Sequence, residues 1–199
     1  MPKGSLNHPE VAPAEQATPE RQYIGKPSIQ YRSEQHSVGI RTITPFKGMF
    51  AVVDQLLKEL RSWIKVQAAT PTGPFFLRLH VIDMDGPMDI EVGCLVPEPH
   101  PGDERVRPGT FPAGRYASLR YSRYALRANR ALLDWGKQEG LTWDRWDAPE
   151  GDRFGCRYEA YLTDYRLEPR KSVWEVELAI KLSDDLPQDS PTASAESID

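Results

Sequence analysis

Apolar residues recur at spacings of three and four along two stretches of the chain, and run in short, strand-length blocks along six others. In the first helical stretch Phe46, Phe50, Val53, Leu57, Leu60 and Ile64 share one face, while Asp54, Lys58, Glu59 and Arg61 fall elsewhere on the wheel. Thr44 followed by Pro45 is the expected start, a capping side chain before a proline suited to the first helical position. The second stretch, from Ser122, places Tyr124, Ala128, Ala131, Leu132 and Trp135 on one stripe and meets Gly140 as its stop. One strand pattern precedes each helix, at 38–43 and at 116–121. Two follow each: 75–82 and 88–96 after the first, 156–162 and 173–180 after the second.

The order strand, helix, strand, strand therefore occurs twice, and Ile90-Glu91-Val92 in the first copy is echoed by Val176-Glu177-Leu178 in the second. Segregated elements of this kind predict an α+β fold, an antiparallel sheet with two helices on one face. The other sheet face is then free to be a ligand cleft, and the join between two copies is where clefts commonly form. Flanking segments look different. Residues 1–26 carry Pro2, Pro9, Pro13 and Pro19 without apolar periodicity, and residues 183–199 are rich in Ser, Asp and Pro. Both read as flexible tails, because neither buries enough apolar surface to offset its ordering entropy. The expected domain is residues 27–182.

Composition narrows the function. The 199 residues suit one domain, and 25 Lys plus Arg against 29 Asp plus Glu leave a net charge of −4. Direct nucleic-acid binding is disfavoured, since phosphate contacts need clustered basic residues. No apolar run approaches the roughly 20 residues of a membrane span, and no hydrophobic leader core precedes Glu20. Cys94 and Cys156 sit in apolar runs, which reads as reduced, core-filling thiols in a cytoplasmic protein.

Familiar catalytic motifs are missing. His8, His36, His80 and His100 lack ligand spacing, and the calcium-like start Asp83-Met84-Asp85-Gly86 runs out at Cys94, where a carboxylate is needed. No metal and no cofactor is expected, and there is neither a Gly-x-Ser-x-Gly elbow nor a phosphate loop. The informative segment is 157–164. Strand alternation puts Arg157, Glu159 and Tyr161 on one face and Tyr158, Ala160 and Leu162 on the other, with the latter set expected beneath the helices. Trp143, Trp146 and Trp174 lie near in sequence or on the neighbouring strand. A carboxylate ringed by aromatics receives a lipophilic cation. The competing reading is a weak Glu159–Arg157 or Glu159–Arg78 pair on a wet sheet face. Glu91 and Glu177 occupy matching places in the two copies, so one is a candidate for the cleft, although strand-face carboxylates are mostly solvated. Trp63, Trp135 and Phe50 are expected in the core.

These segments resemble the GyrI-like small-molecule-binding domains, which also form the effector-binding domains of some AraC-type and MerR-type regulators. The resemblance is carried by Phe111-Pro112-Ala113-Gly114-Arg115-Tyr116-Ala117, the helix to Leu133-Asp134-Trp135, Arg157-Tyr158-Glu159-Ala160-Tyr161-Leu162, Trp174-Glu175-Val176-Glu177-Leu178-Ala179-Ile180 and Asp89-Ile90-Glu91-Val92-Gly93. It implies two modules related by a pseudo-twofold, a cleft between them, and a central glutamate matched by Glu159. Tyr161, Trp143, Tyr116, Trp174 and Glu91 are the other implied ligand contacts. The family often has a glycine shortly after the strand at 116–121, where Ser122-Arg123-Tyr124 stands here. For a free-standing member the resemblance implies binding of a lipophilic, aromatic or cationic small molecule. Its alternatives are hydrolysis of strained cyclopropane rings in DNA-alkylating natural products, with Glu159 as base and Tyr161 assisting, and contact with DNA gyrase or with a regulator on another chain.

Overall fold

The structure, a computed structural model, describes residues 23–184. In chain order the elements are β1 (Tyr23–Ile24), β2 (Ser28–Arg32), β3 (Gln35–Pro45), α1 (Met49–Gln67), β4 (Phe75–Ile82), β5 (Pro87–Val96), β6 (Arg107–Phe111), β7 (Gly114–Ser122), α2 (Ala125–Gln138), β8 (Arg145–Ala148), β9 (Gly151–Phe154), β10 (Arg157–Tyr161), a single 3-10 turn (Lys171–Val173) and β11 (Glu175–Lys181). All strands join one antiparallel sheet, whose main path is β1-β7-β11-β10-β4-β5-β3-β6. The α+β class, with two helices packed on an antiparallel sheet, is the fold the chain adopts. Among the described residues no helix is long and apolar enough to cross a membrane.

The sequence repeat becomes a spatial repeat. The first half packs Met49, Val53, Leu56, Leu57 and Leu60 of α1 on the inward residues of β3, β4 and β5, such as Ile40, Leu77 and Ile90. The second packs Ala128 and Leu132 of α2 on Leu119 of β7 and Leu178 and Ile180 of β11. The halves meet where β10 pairs with β4, Glu159 lying opposite Leu77 on one side and Leu178 on the other. Ile82 and Tyr161 are the partly buried residues packed against both cores. A third cluster, with Phe76, Phe111, Tyr116 and Tyr158, fills the sheet face away from the helices.

Several boundaries differ from the sequence reading. The strand β3 runs through Thr44 to Pro45, paired with β5 as far as Pro87, so Thr44 caps nothing. α1 begins only at Met49, after Gly48 turns the chain with φ of 90°. Likewise β7 holds Ser122, and α2 starts at Ala125 after Arg123 and Tyr124 both adopt left-handed φ, 62° and 53°. Tyr23 and Ile24 pair with β7 inside the segment read as a tail. Of the two expected tails, residues 1–22 and 185–199 lie outside the described residues.

Candidate functional site

Alternation along β10 holds, but the face is reversed. Arg157, Glu159 and Tyr161 point to the helix side, while Tyr158 and Ala160 join the cluster on the far side. The reason is the register: Glu159 sits across from Leu77 and Leu178, whose side chains face α1 and α2. The helices do not close over the seam between the two halves. A groove remains between α1 and α2, with Glu159 on its floor.

The groove has two lobes that share Phe50, Tyr124, Ala125 and Glu159. The aromatic lobe, about 390 Å³, adds Tyr121, Tyr161 and Trp174. The aliphatic lobe, about 770 Å³, adds Met49, Leu77, Leu79 and Met88, with Asn129 and Arg157. The helical stripe predicts Phe50 in the core; instead it is 56% exposed at the mouth, because the buried stripe of α1 is turned onto Met49, Val53 and Leu56. Tyr124 is similarly exposed.

Glu159 is buried. Asn129 Nδ2 of α2 donates to its Oε1 at 3.2 Å, and the Tyr121 hydroxyl also bonds it. Desolvation raises its pKa above the ordinary glutamate value, and these two hydrogen bonds and the charge of Arg157 only partly oppose that. Arg157 donates from Nη2 to Asn129 Oδ1 at 2.7 Å, so one amide bridges guanidinium and carboxylate. Burial also pushes the phenols of Tyr121 and Tyr161 up, leaving them protonated donors at neutral pH. Tyr161 lies against Trp174 with ring centroids 5.6 Å apart. Trp174 is buried and is fixed by its indole N–H on Glu168 O at 2.7 Å. At the end of this lobe the Lys171 ammonium, on the 3-10 turn, pairs with Asp54 of α1.

Of the residues singled out from sequence, the structure brings together Glu159, Tyr161 and Trp174. Five others lie elsewhere. Tyr116 is buried on the opposite sheet face, its hydroxyl donating to Pro112 O at 2.8 Å. Glu91 is on that face too, paired with His80 Nε2 at 2.8 Å, since residues at even and odd positions of β5 face opposite ways. Glu177, its counterpart in the second copy, pairs there with Arg32. Trp143 packs against α2 at Gly136, and Trp146 is exposed on β8; neither lines the groove. Sequence reading overlooks Tyr121, Tyr124 and Asn129. Asn129 has a usable signal: it lies one residue beyond the buried Ala128, at the edge of the stripe on α2.

A profile of the GyrI-like small molecule binding domain matches residues 25–183. No curated protein matches the chain. Among solved structures, the EcmrR C-terminal domain superposes with a TM-score of 0.57 at 15% identity, covering 80% of this chain and 98% of that one. The chain spans only 57% of EcmrR as seen in its DNA complex, where the TM-score is 0.59, the identity 15% and 79% of this chain is covered. SAV2435, solved bound to tetraphenylphosphonium, gives 0.54 at 9% identity over 80% of this chain and 94% of that one. A hydrolase from Listeria innocua gives 0.50 at 14%, over 79% and 92%. At these identities the likeness is one of fold.

Proposed function

The chain belongs to the GyrI-like small molecule binding domain family, and from that premise we propose that its groove takes a lipophilic, aromatic or cationic small molecule against Glu159. The observation that carries this is a buried carboxylate at the floor of an open, aromatic-walled cavity. Glu159 loses water on folding and, among the described residues, recovers hydrogen bonds from Asn129 and Tyr121 while Arg157 is held off by the Asn129 amide, so a ligand cation would supply a direct counter-charge. Faces of Tyr161, Trp174 and Tyr124 would add about 0.5–2 kcal/mol each by cation–π contact. The likeness to SAV2435, solved with a lipophilic cation, is consistent with this ligand class.

Glu159→Gln is expected to weaken a lipophilic cation such as tetraphenylphosphonium by about tenfold or more, the worth of one charge-assisted contact, and a neutral aromatic of equal size by much less. Isothermal titration calorimetry checks it. Equal losses for both ligands would remove Glu159 from recognition.

A hydrolytic reading is favoured by the raised proton affinity of Glu159, which suits a base working near neutrality. Glu159 would take a proton from water as the oxygen bonds a strained ring carbon. The ring bond breaks, and its electron pair passes to a conjugated carbonyl that the Tyr161 hydroxyl can stabilise. Mass spectrometry of cyclopropane-bearing polycycles then shows a gain of one water with wild type and none with Glu159→Gln. Neither the groove nor the relatives support DNA gyrase or a regulator on another chain as partner.

A further inference from the structure

The two lobes differ in charge. Arg123 and Lys171 face Asp54 and Glu159 in the aromatic lobe, whereas Arg127, Arg130 and Arg157 outnumber Asp134 and Glu159 in the aliphatic one. Arg157 is the guanidinium on the floor of that lobe. It comes from the same strand face as Glu159, two residues away, which fixes it on a sheet rather than on a mobile loop. Its protein partners are few. Nη2 bonds the neutral Asn129 amide, the group lies over the Phe154 ring at 4.9 Å, and Nε is buried with no hydrogen-bond partner. Among the described residues no carboxylate forms a direct ion pair with it, although a guanidinium carries five N–H donors and only one is engaged in the bond to Asn129.

A guanidinium shut into a largely apolar lobe without a carboxylate is costly unless something accepts its hydrogen bonds. Burial does lower its pKa, to about 10, so it still carries its charge at neutral pH. The Asn129 bridge already couples it to Glu159, so a carboxylate is nearby to hold the local balance close to neutral. A second cation in this lobe would meet three guanidiniums. An oxygen acceptor would meet unused N–H groups.

We propose that Arg157 is a specificity-determining residue that binds a hydrogen-bond-accepting oxygen, such as a carbonyl or phenolate, on the part of the ligand lodged in the aliphatic lobe. This rests on the small-molecule reading of the groove and adds to it a second polar end. The natural ligand is then amphiphilic in a defined sense: an aromatic or cationic portion toward Trp174 and Tyr161, and an oxygen-bearing portion among Met49, Leu79 and Met88.

Two near-isosteric probes separate the ends. Triphenylphosphine oxide is neutral with a strong acceptor oxygen; methyltriphenylphosphonium replaces that oxygen by methyl and carries a positive charge. Both are titrated calorimetrically into wild type, Arg157→Met and Arg157→Lys, with circular dichroism to establish that each variant is folded. Arg157→Met is expected to weaken the oxide about tenfold or more and to leave the phosphonium unchanged or tighter. Arg157→Lys, which keeps the charge but not the planar fork, guards against failure of the methionine variant to fold. It should also weaken the oxide selectively, by a smaller factor. Parallel losses for both probes, or no loss for the oxide, overturn the assignment. So does a wild type that binds the phosphonium but not the oxide, in which case the reading of the groove survives. Binding of neither probe overturns both together.

Discussion

A carboxylate stripped of water is a poor anion, and among the described residues Glu159 has one amide and one phenol bonded to it in place of its hydration shell. Its folded pKa lies above the ordinary value of 4.5, so the folded protein holds that proton at pH values where the unfolded chain has released it. Stability must therefore fall as pH rises from about 4.5 through the raised value, and the loss is complete above it. Glu159→Gln removes this slope. Urea titrations across the pH range should show the variant gaining on wild type as pH rises, with the ligand-free Gln protein the more stable at pH 7. A difference that runs the other way means the folded site stabilises the anion unaided. Alternation sufficed to join Glu159 with Tyr161 and Arg157, because a strand has only two faces. It could not say which face meets the helices, since Tyr158, Ala160 and Leu162 look more apolar and yet belong to a third, equally apolar cluster across the sheet. Exposed Phe50 was hidden for a related reason: Met49 beside it serves the core equally well.

At the scale of elements, α2 shows how a side chain singled out for one role performs another. Gly136 faces the Trp143 ring so closely that a methyl group there would overlap it. In an exposed helix interior, Gly→Ala gains up to about 1 kcal/mol. Here the clash should reverse the sign, so Gly136→Ala is expected to cost about 1–3 kcal/mol in thermal or urea unfolding. The pairing is tested by combining it with Trp143→Leu, where the alanine should be tolerated better than in the wild-type background. Trp143 thus serves the packing of α2 at Gly136 and not the lining of the groove. The strands β3, β4, β5, β7, β10 and β11 and both helices were legible because each carries a run of apolar or alternating positions, which even the five residues of β10 keep. The short strands β1, β2, β6, β8 and β9 were not, for two to five residues with polar edges have no period to read. Helix starts differ from the sequence reading for one physical reason: the chain continues the sheet first and turns through left-handed residues, Gly48 in one copy and Arg123 with Tyr124 in the other. In that second turn the glycine usual in the family is absent, and the backbone adopts the left-handed form regardless.

The whole molecule is two packed halves joined by a continuous sheet, with a gap left only between their helices. Each helix closes its own core; across the join run the pairing of β4 with β9 and β10, Ile82 and Tyr161 on the helix side, and the third cluster, with Phe111 against Tyr158, on the far sheet face. Duplication in the sequence foretold the halves, but not that their helices would stand apart and leave the glutamate between them. A ligand in the groove would touch α1 from one half and α2 and β10 from the other. Hydrogen exchange under native conditions should therefore show the amides of the two helices opening with different free energies in the free protein and rising together when ligand is added. Protection confined to one helix would mean that the ligand belongs to one half alone. The seam also has a bearing on communication. An occupant of the gap would brace α1 against α2, so a protein resting on both helices would register occupancy as a change in stiffness without ever touching what is bound.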